Sequence, residues 1–268
     1  MRAQVIVVIR FSYLAENGFQ LSRHGLDGAR AALYAADRLA RRFVLFEALT
    51  IPSLLGQSDP DFTLAVLIGE DFPAPFRQRL EHLIAPLKEA RIIALPPYNN
   101  YKSTKLAIDA CVRPATSHII SLRLDDDDAL GLDVVAAQKR IAPAVAAMGP
   151  ADAPAVICFN NGLFLELSET GNSIYGVIEK LPLGVGMGMI APVGARPTIF
   201  STDHRRVHTR WNTYTEALTP RFIRTVHRDN DSGAIASGAR IEYSGQKLEA
   251  VLSANFSMQR VMLEQIRL

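Results

Sequence analysis

Two cysteines, one tryptophan and no long apolar run stand in the 268-residue chain. Cys111 and Cys158 lack any Cys-x-x-Cys spacing, so neither a disulfide framework nor a cysteine zinc site is indicated, and two reduced, buried thiols are expected. No stretch reaches the roughly 18 apolar residues that a bilayer span requires, and the run Val5 to Ile9 is too short for a signal-peptide core. A cytoplasmic location is expected, with docking on the inner face of a membrane left open. Charge of one sign is missing too. With 29 Lys and Arg against 27 Asp and Glu, the net +2 is too small to pull the whole molecule onto nucleic acid or an anionic bilayer. No repeat, P-loop or Gly-x-Ser-x-Gly elbow is found, and Gly184-x-Gly186-x-Gly188 is not a dinucleotide fingerprint, which argues against a nicotinamide cofactor.

What is present is an ordinary globular composition, 49% hydrophobic and 21% charged, on a chain long enough for one large domain. Short runs apolar on both faces recur: Val5 to Ile9, Leu64 to Ile68, Arg91 to Leu95, Ile119 to Leu124 and Ala155 to Phe159. Such runs are what a parallel sheet covered by helices produces. Between them Leu39, Phe43, Phe46, Leu49 and Ile51 line one side of a helix expected to stop near Pro52. Further helices are expected over 74–84 and about 132–148, and helical spacing returns from Leu248 to Leu268. The segment Ala15 to Arg41 reads as an insertion that turns helical near Leu26. Gly162 to Leu167 and Ile174 to Leu181 suggest further strands, and Pro182 to Ala195 is apolar and rich in glycine. The alternation predicts an α/β domain over 1–268, with a nucleotide-binding half (1–130) and a looser half (131–268) for a second substrate.

Ligands of open parallel sheets lie beyond the carboxyl ends of the strands. There the fourth run ends in Arg123, Leu124, Asp125, Asp126, Asp127 and Asp128. Each close pair of carboxylates repels by about 4 kcal/mol at an effective dielectric near 20, unless something positive sits among them. A divalent cation, Mn²⁺ or Mg²⁺, is the simplest neutraliser and takes such oxygen ligands readily. Alternation would put Asp125 and Asp127 on one face. The competing explanation is a solvated acidic loop at the start of a helix. Glu70 and Asp71, after the second run, either bond a ribose or base or start the next helix. Arg10 ends the first run, where its guanidinium would contact a phosphate or pair with the aspartates. Downstream, His204, Arg205 and Arg206 stand together, as do Arg224, His227, Arg228, Asn230 and Asp231, and a neutral imidazole can complete a metal shell.

"IRFSYL", "RFVLFEALTIPSLLGQSDPDFTLAVLIGEDFP", "RLDDDDAL" and "CFNNGLF" together resemble the rhamnosyltransferase family of bacterial proteins, and Asp-x-Asp after a strand is similar to the site of glycosyltransferases with the GT-A fold. The resemblance implies a GT-A-like three-layer α/β/α sandwich with a mainly parallel central sheet. It also implies metal-dependent transfer of a sugar from a nucleotide-diphosphate donor to a polysaccharide or glycolipid acceptor, with no nucleic-acid partner. By the same resemblance Asp125 would meet the ribose or base; from their places at the strand ends Arg10, Glu70, Asp71, Arg123 and Asp126 are also expected on the donor side. Asp127, Asp128 and His227 would hold Mn²⁺ or Mg²⁺. If the reaction inverts, Asp203 and His204 are candidates for the group that takes the acceptor proton. Nothing in these residues selects rhamnose. Two other readings stay open: a Mg²⁺-dependent nucleotidyltransferase, and an inactive GT-A-like scaffold subunit in polysaccharide assembly.

Overall fold

A computed structural model describes residues 1–16, 25–150, 152–230, 235–256 and 258–268. In chain order its strands are β1 (Ala3–Arg10), β2 (Thr63–Gly69), β3 (Ala90–Leu95), β4 (His118–Arg123), β5 (Ala129–Leu130), β6 (Ala155–Phe159), β7 (Asn161–Glu166), β8 (Ser173–Ile178), β9 (Gly188–Pro192), β10 (Asn212–Glu216), β11 (Phe222–Val226) and β12 (Arg240–Ile241). The helices are α1 (Gly25–Leu33), α2 (Ala36–Leu45), α3 (Ile51–Leu55), α4 (Ala74–Ile84), α5 (Asn100–Asp109), α6 (Val134–Ala147), α7 (Gly245–Asn255) and α8 (Arg260–Gln265). All five doubly apolar runs become strands of one sheet, in the order β10-β6-β9-β4-β1-β2-β3. Its pairings are parallel except where β9 runs antiparallel to both β4 and β6.

Both faces of this sheet are covered, which is why β1 is buried on both sides along its centre. On one face Val5, Val7 and Ile9 pack with Leu39 and Phe43 of α2, Leu80 of α4 and Ile141 of α6. On the other, Ile6 and Val8 pack with Ile108 of α5 and with Ile199, Phe200 and Val207. The three-layer sandwich with a mainly parallel central sheet is therefore present. A second sheet, β12-β8-β7-β11-β5, leans Phe164 and Phe222 on the main core and covers its other side with Leu248 and Leu252 of α7 and Leu263 of α8. Each such large apolar side chain contributes roughly 1.5–3 kcal/mol by leaving water.

The helix expected to stop near Pro52 does not stop there. Residues Phe46–Thr50 form a π-helical turn in which the Ile51 N–H donates to the Phe46 carbonyl. That shift leaves Pro52 in the first turn of α3, where a missing N–H is tolerated. It also aims Thr50 at the acidic segment, where its hydroxyl donates to the Asp128 carbonyl at 2.9 Å. Among the described residues no helix is long and apolar enough to cross a membrane.

Candidate active site

The chain runs from β1 outward through β2 to β3, then returns to β1's other side as β4. At that switch point the carboxyl ends of two neighbouring strands diverge and leave a crevice. Arg10 closes β1 and Arg123 closes β4. The four aspartates follow at once and lead into β5, so the acidic segment bridges the two sheets. A cavity of about 820 Å³ opens over it. Among the described residues six arginines and five aspartates line this cavity, together with His204, Phe200 and Asn230.

The aspartates are held unequally. Asp125 Oδ1 accepts from Arg10 Nη2 at 3.5 Å, and its Oδ2 accepts from Arg123 Nη2 at 3.3 Å and Arg224 Nη1 at 3.5 Å. Its side chain is 24% exposed. Asp126 is gripped from both sides by Arg42 of α2, whose Nε donates to Oδ2 at 3.1 Å while Nη2 donates to Oδ1. Asp127 Oδ2 accepts from Arg42 Nη1 at 2.9 Å, His227 Nε2 at 2.9 Å and Asn230 Nδ2 at 3.2 Å. Asp128 is fully buried, with Oδ1 taken by the Thr225 N–H at 2.9 Å and Oδ2 by Arg224 Nη1 at 2.6 Å.

Burial raises the proton affinity of Asp125, Asp127 and Asp128, and the arginines decide which remain anions. At Asp125 burial is the largest single influence, but Arg123, Arg10 and Arg224 together outweigh it and hold the carboxyl well below its usual range. Asp127 likewise stays low, chiefly through Arg42 and the His227 hydrogen bond acting against burial. At Asp128 burial wins, with help from Asp127 and Asp125 against Arg224, and pushes the carboxyl up to about 7. Arg224 loses proton affinity by burial but gains more from Asp128, Asp127 and Asp125, so its charge is secure. His204 is pushed down to about 4, by burial first and then by Arg123, and its imidazole is neutral at pH 7.

Of the residues expected on the donor side, Arg10, Arg123, Asp125 and Asp126 come together here. Glu70 and Asp71 are corrections: both are exposed and neither lines the cavity, nor does either fall in the first turn of α4. Asp71 instead accepts from Arg30 Nε at 2.5 Å and from the Tyr34 hydroxyl at 3.1 Å, which ties it to α1. Asp203 and His204 line the same cavity, with Asp203 Oδ1 capping a 3-10 helix (His204–Thr209) through the Arg205 N–H at 2.9 Å. Strand β11 delivers His227 to the acidic segment as expected, while Asp231 lies outside the described residues. Arg42 was not foreseen, and Asn230 was noted only as a neighbour of His227. Arg42 had a legible signal: it sits three residues after Leu39 and four before Phe46, on the apolar stripe of its helix, where a charge demands a buried partner.

The group expected to hold a divalent cation does not fit one as arranged. Asp128 does not line the cavity, and its two oxygens are turned to Thr225 and Arg224. Nδ1 of His227 accepts from the Asp229 N–H at 3.3 Å, which leaves Nε2 protonated and donating to Asp127. The Arg42 guanidinium already occupies the Asp127 oxygen that a cation would share with that imidazole. Among the described residues no group of three or more His, Cys, Asp or Glu is placed to hold a metal ion.

A model of the family described as "Putative rhamnosyl transferase" matches residues 4–239. Among solved structures, S. aureus TarS is similar at 11% identity and a TM-score of 0.44, covering 84% of this chain and 37% of its own. A structure of S. aureus TarS 1-349 in complex with UDP aligns at 12% identity and a TM-score of 0.41, covering 84% of this chain and 61% of its own. A protein described as a "putative nucleotide-diphospho-sugar transferase" from Desulfovibrio desulfuricans G20 aligns at 10% identity and a TM-score of 0.33, over 86% and 83% of the two chains. The chain thus spans little more than a third of the length of the first of these proteins. No curated protein matches it.

Proposed function

The chain belongs to the rhamnosyl transferase family, and from that premise we propose that it moves a glycosyl group from a nucleoside diphosphate sugar to a saccharide or glycolipid acceptor, as a GT-A-like enzyme of surface-polysaccharide assembly. The observation that carries this reading is the convergence of Arg10, Arg123 and Arg224 on one partly exposed carboxylate in the crevice beyond β1 and β4. Guanidinium groups arranged in this way are suited to a diphosphate, whose oxygens they can meet in pairs.

The mechanism follows from the side chains. The bond from the anomeric carbon to the diphosphate oxygen breaks as a bond to the acceptor hydroxyl oxygen forms, and the electron pair leaves on the nucleoside diphosphate. Arg10, Arg123 and Arg224 stabilise the charge that builds on that leaving group. Asp125, the exposed member of the acidic segment, is the acid in reach of the donor's ribose. The acceptor hydroxyl's proton goes to His204, which is uncharged at neutral pH, whereas one oxygen of Asp203 is committed to capping its helix. No step is derived through a divalent cation. Rhamnose as the donor sugar is part of the proposal on the strength of the family description alone.

Incubation of the purified protein with sugars linked to dTDP, UDP and GDP, a rhamnosyl donor among them, tests the reading by chromatographic detection of free nucleoside diphosphate. Release from one donor, together with a thermal shift for that donor, is expected. A thermal shift only with nucleoside triphosphates, accompanied by pyrophosphate release, would replace the glycosyltransferase with a nucleotidyltransferase.

A further inference from the structure

We propose that the donor's diphosphate is seated by Arg10, Arg123 and Arg224 in direct contact, with no divalent cation between it and the acidic segment; this rests on the nucleotide-sugar reading above and names how that site meets its donor. A cation in such a site has two tasks, to offset the clustered carboxylates and to offset the phosphates. The first is already done. Four arginines, Arg10, Arg42, Arg123 and Arg224, reach the four aspartates from β1, α2, β4 and β11. The second task needs positive charge facing the cavity, and six arginines line it against five aspartates among the described residues.

Beside water and phosphate oxygens, Mn²⁺ or Mg²⁺ in such a site needs one or two carboxylates that turn an oxygen to it. Both oxygens of Asp126 are bound to Arg42, and both of Asp128 to Thr225 and Arg224. One oxygen of Asp127 already receives three donors. A cation sharing the Asp127 oxygen with His227 would enter beside Arg42 and would have to displace it or turn His227 over.

Asp125 is where the anion would arrive. Its three guanidinium contacts, at 3.3–3.5 Å, are longer than the 2.7–2.9 Å of a tight charge-assisted bond. Nε of Arg123 is buried with no acceptor. The Phe200 ring lies under both Arg10 and Arg123, with guanidinium carbons 5.4 and 5.8 Å from its centroid, and holds the pair against one wall of the cavity. Two phosphate groups offer these forks the oxygens that a single carboxylate lacks.

Isothermal titration calorimetry of the full chain with UDP, GDP and dTDP, each in excess EDTA and then in excess MnCl₂, tests this. The diphosphate that binds is expected to do so equally well in both buffers, within about threefold. Arg10→Ala and Arg123→Ala should each weaken it by about tenfold or more in both, with Arg10→Lys and Arg123→Lys intermediate because they keep the charge and lose the fork. The lysine variants also stand in if an alanine variant fails to fold. Binding that disappears in EDTA and returns with Mn²⁺ overturns the proposal while leaving the nucleotide-sugar reading intact. Binding to no diphosphate in either buffer overturns both.

Discussion

Asp125 and the three aspartates that follow it are the same residue in one short segment, yet they live in two different environments. Asp126, Asp127 and Asp128 are 0–3% exposed and are fixed by contacts that include Arg42, Thr225 and His227 at 2.9 Å and Arg224 at 2.6 Å. Asp125 is open to the cavity and is touched only at 3.3–3.5 Å by arginines borne on both sheets. A buried carboxylate with its donors in place is part of the scaffold, and removing its partner is costly. A partly exposed one with loosely drawn partners is available to a ligand. The difference teaches that a run of acids does not count ligand contacts; the direction from which each guanidinium arrives does.

The sharpest way to break that comparison is at Arg42. Arg42→Ala leaves Asp126 and Asp127 buried without their cation, and should cost about 3–5 kcal/mol in chemical denaturation. Adding Asp126→Asn to that variant should recover part of the loss, because it removes the orphaned charge. A cost below about 1 kcal/mol would mean the buried pair is not what holds the segment. Next comes Asp128→Asn, expected to cost about 2 kcal/mol, since its amide would face the Thr225 N–H or Arg224 with a donor where an acceptor is needed. Asp125→Asn should stay within about 1 kcal/mol of the parent in the same measurement. If Asp125→Asn and Asp128→Asn cost the same, the two environments are not distinct in energy.

Much of the main sheet was legible in the sequence, and the reason is its parallel core: strands buried on both faces read as unbroken apolar runs whatever lies around them. Strand β9 was not. It sits in a glycine-rich stretch, and a Cβ at Gly188 would come within 2.5 Å of the Gln138 side chain, so the residue type that hides the strand is the one that lets it pack. Helix α5 was missed because its sequence is polar, although Asn99 caps it by accepting from the Lys102 N–H at 2.9 Å. Strands β5 and β12 have two residues each, too short to show a period.

The site divides in the same way. Arg10, Arg123 and Asp125 were legible as strand ends, because the end of a parallel strand is where a site forms. The inference of a bound cation came from charge repulsion along the chain. Acids that are neighbours in sequence are visible to that reasoning, whereas the arginines that β1, α2 and β11 bring from 84 to 115 residues away are not. Arg42, at 84 and 85 residues from its partners, could be found by burial on its own helix and by nothing else.

The effect of pH tests whether His204 belongs to the cavity's electrostatics or merely borders it. Folding lowers this imidazole from 6.5 to about 4, by burial and by Arg123. Between those values the unfolded chain binds a proton that the folded chain refuses, so this group makes stability fall as pH drops from 6.5 towards 4. Asp128 works against it: folding raises the carboxyl from 3.8 to about 7, so the folded chain holds a proton that the unfolded one releases, and stability rises as pH drops through nearly the same window. The parent's melting temperature should therefore vary little across this range. His204→Asn removes one side of the balance and should gain up to about 2 kcal/mol over the parent near the acid end, after allowing for the solvent that reaches the ring. Asp128→Asn should do the opposite and steepen the loss on acidification. If the parent and His204→Asn profiles run parallel from neutral to acid pH, His204 is not held uncharged by the fold, and its assignment as the group that takes the acceptor proton loses its electrostatic support.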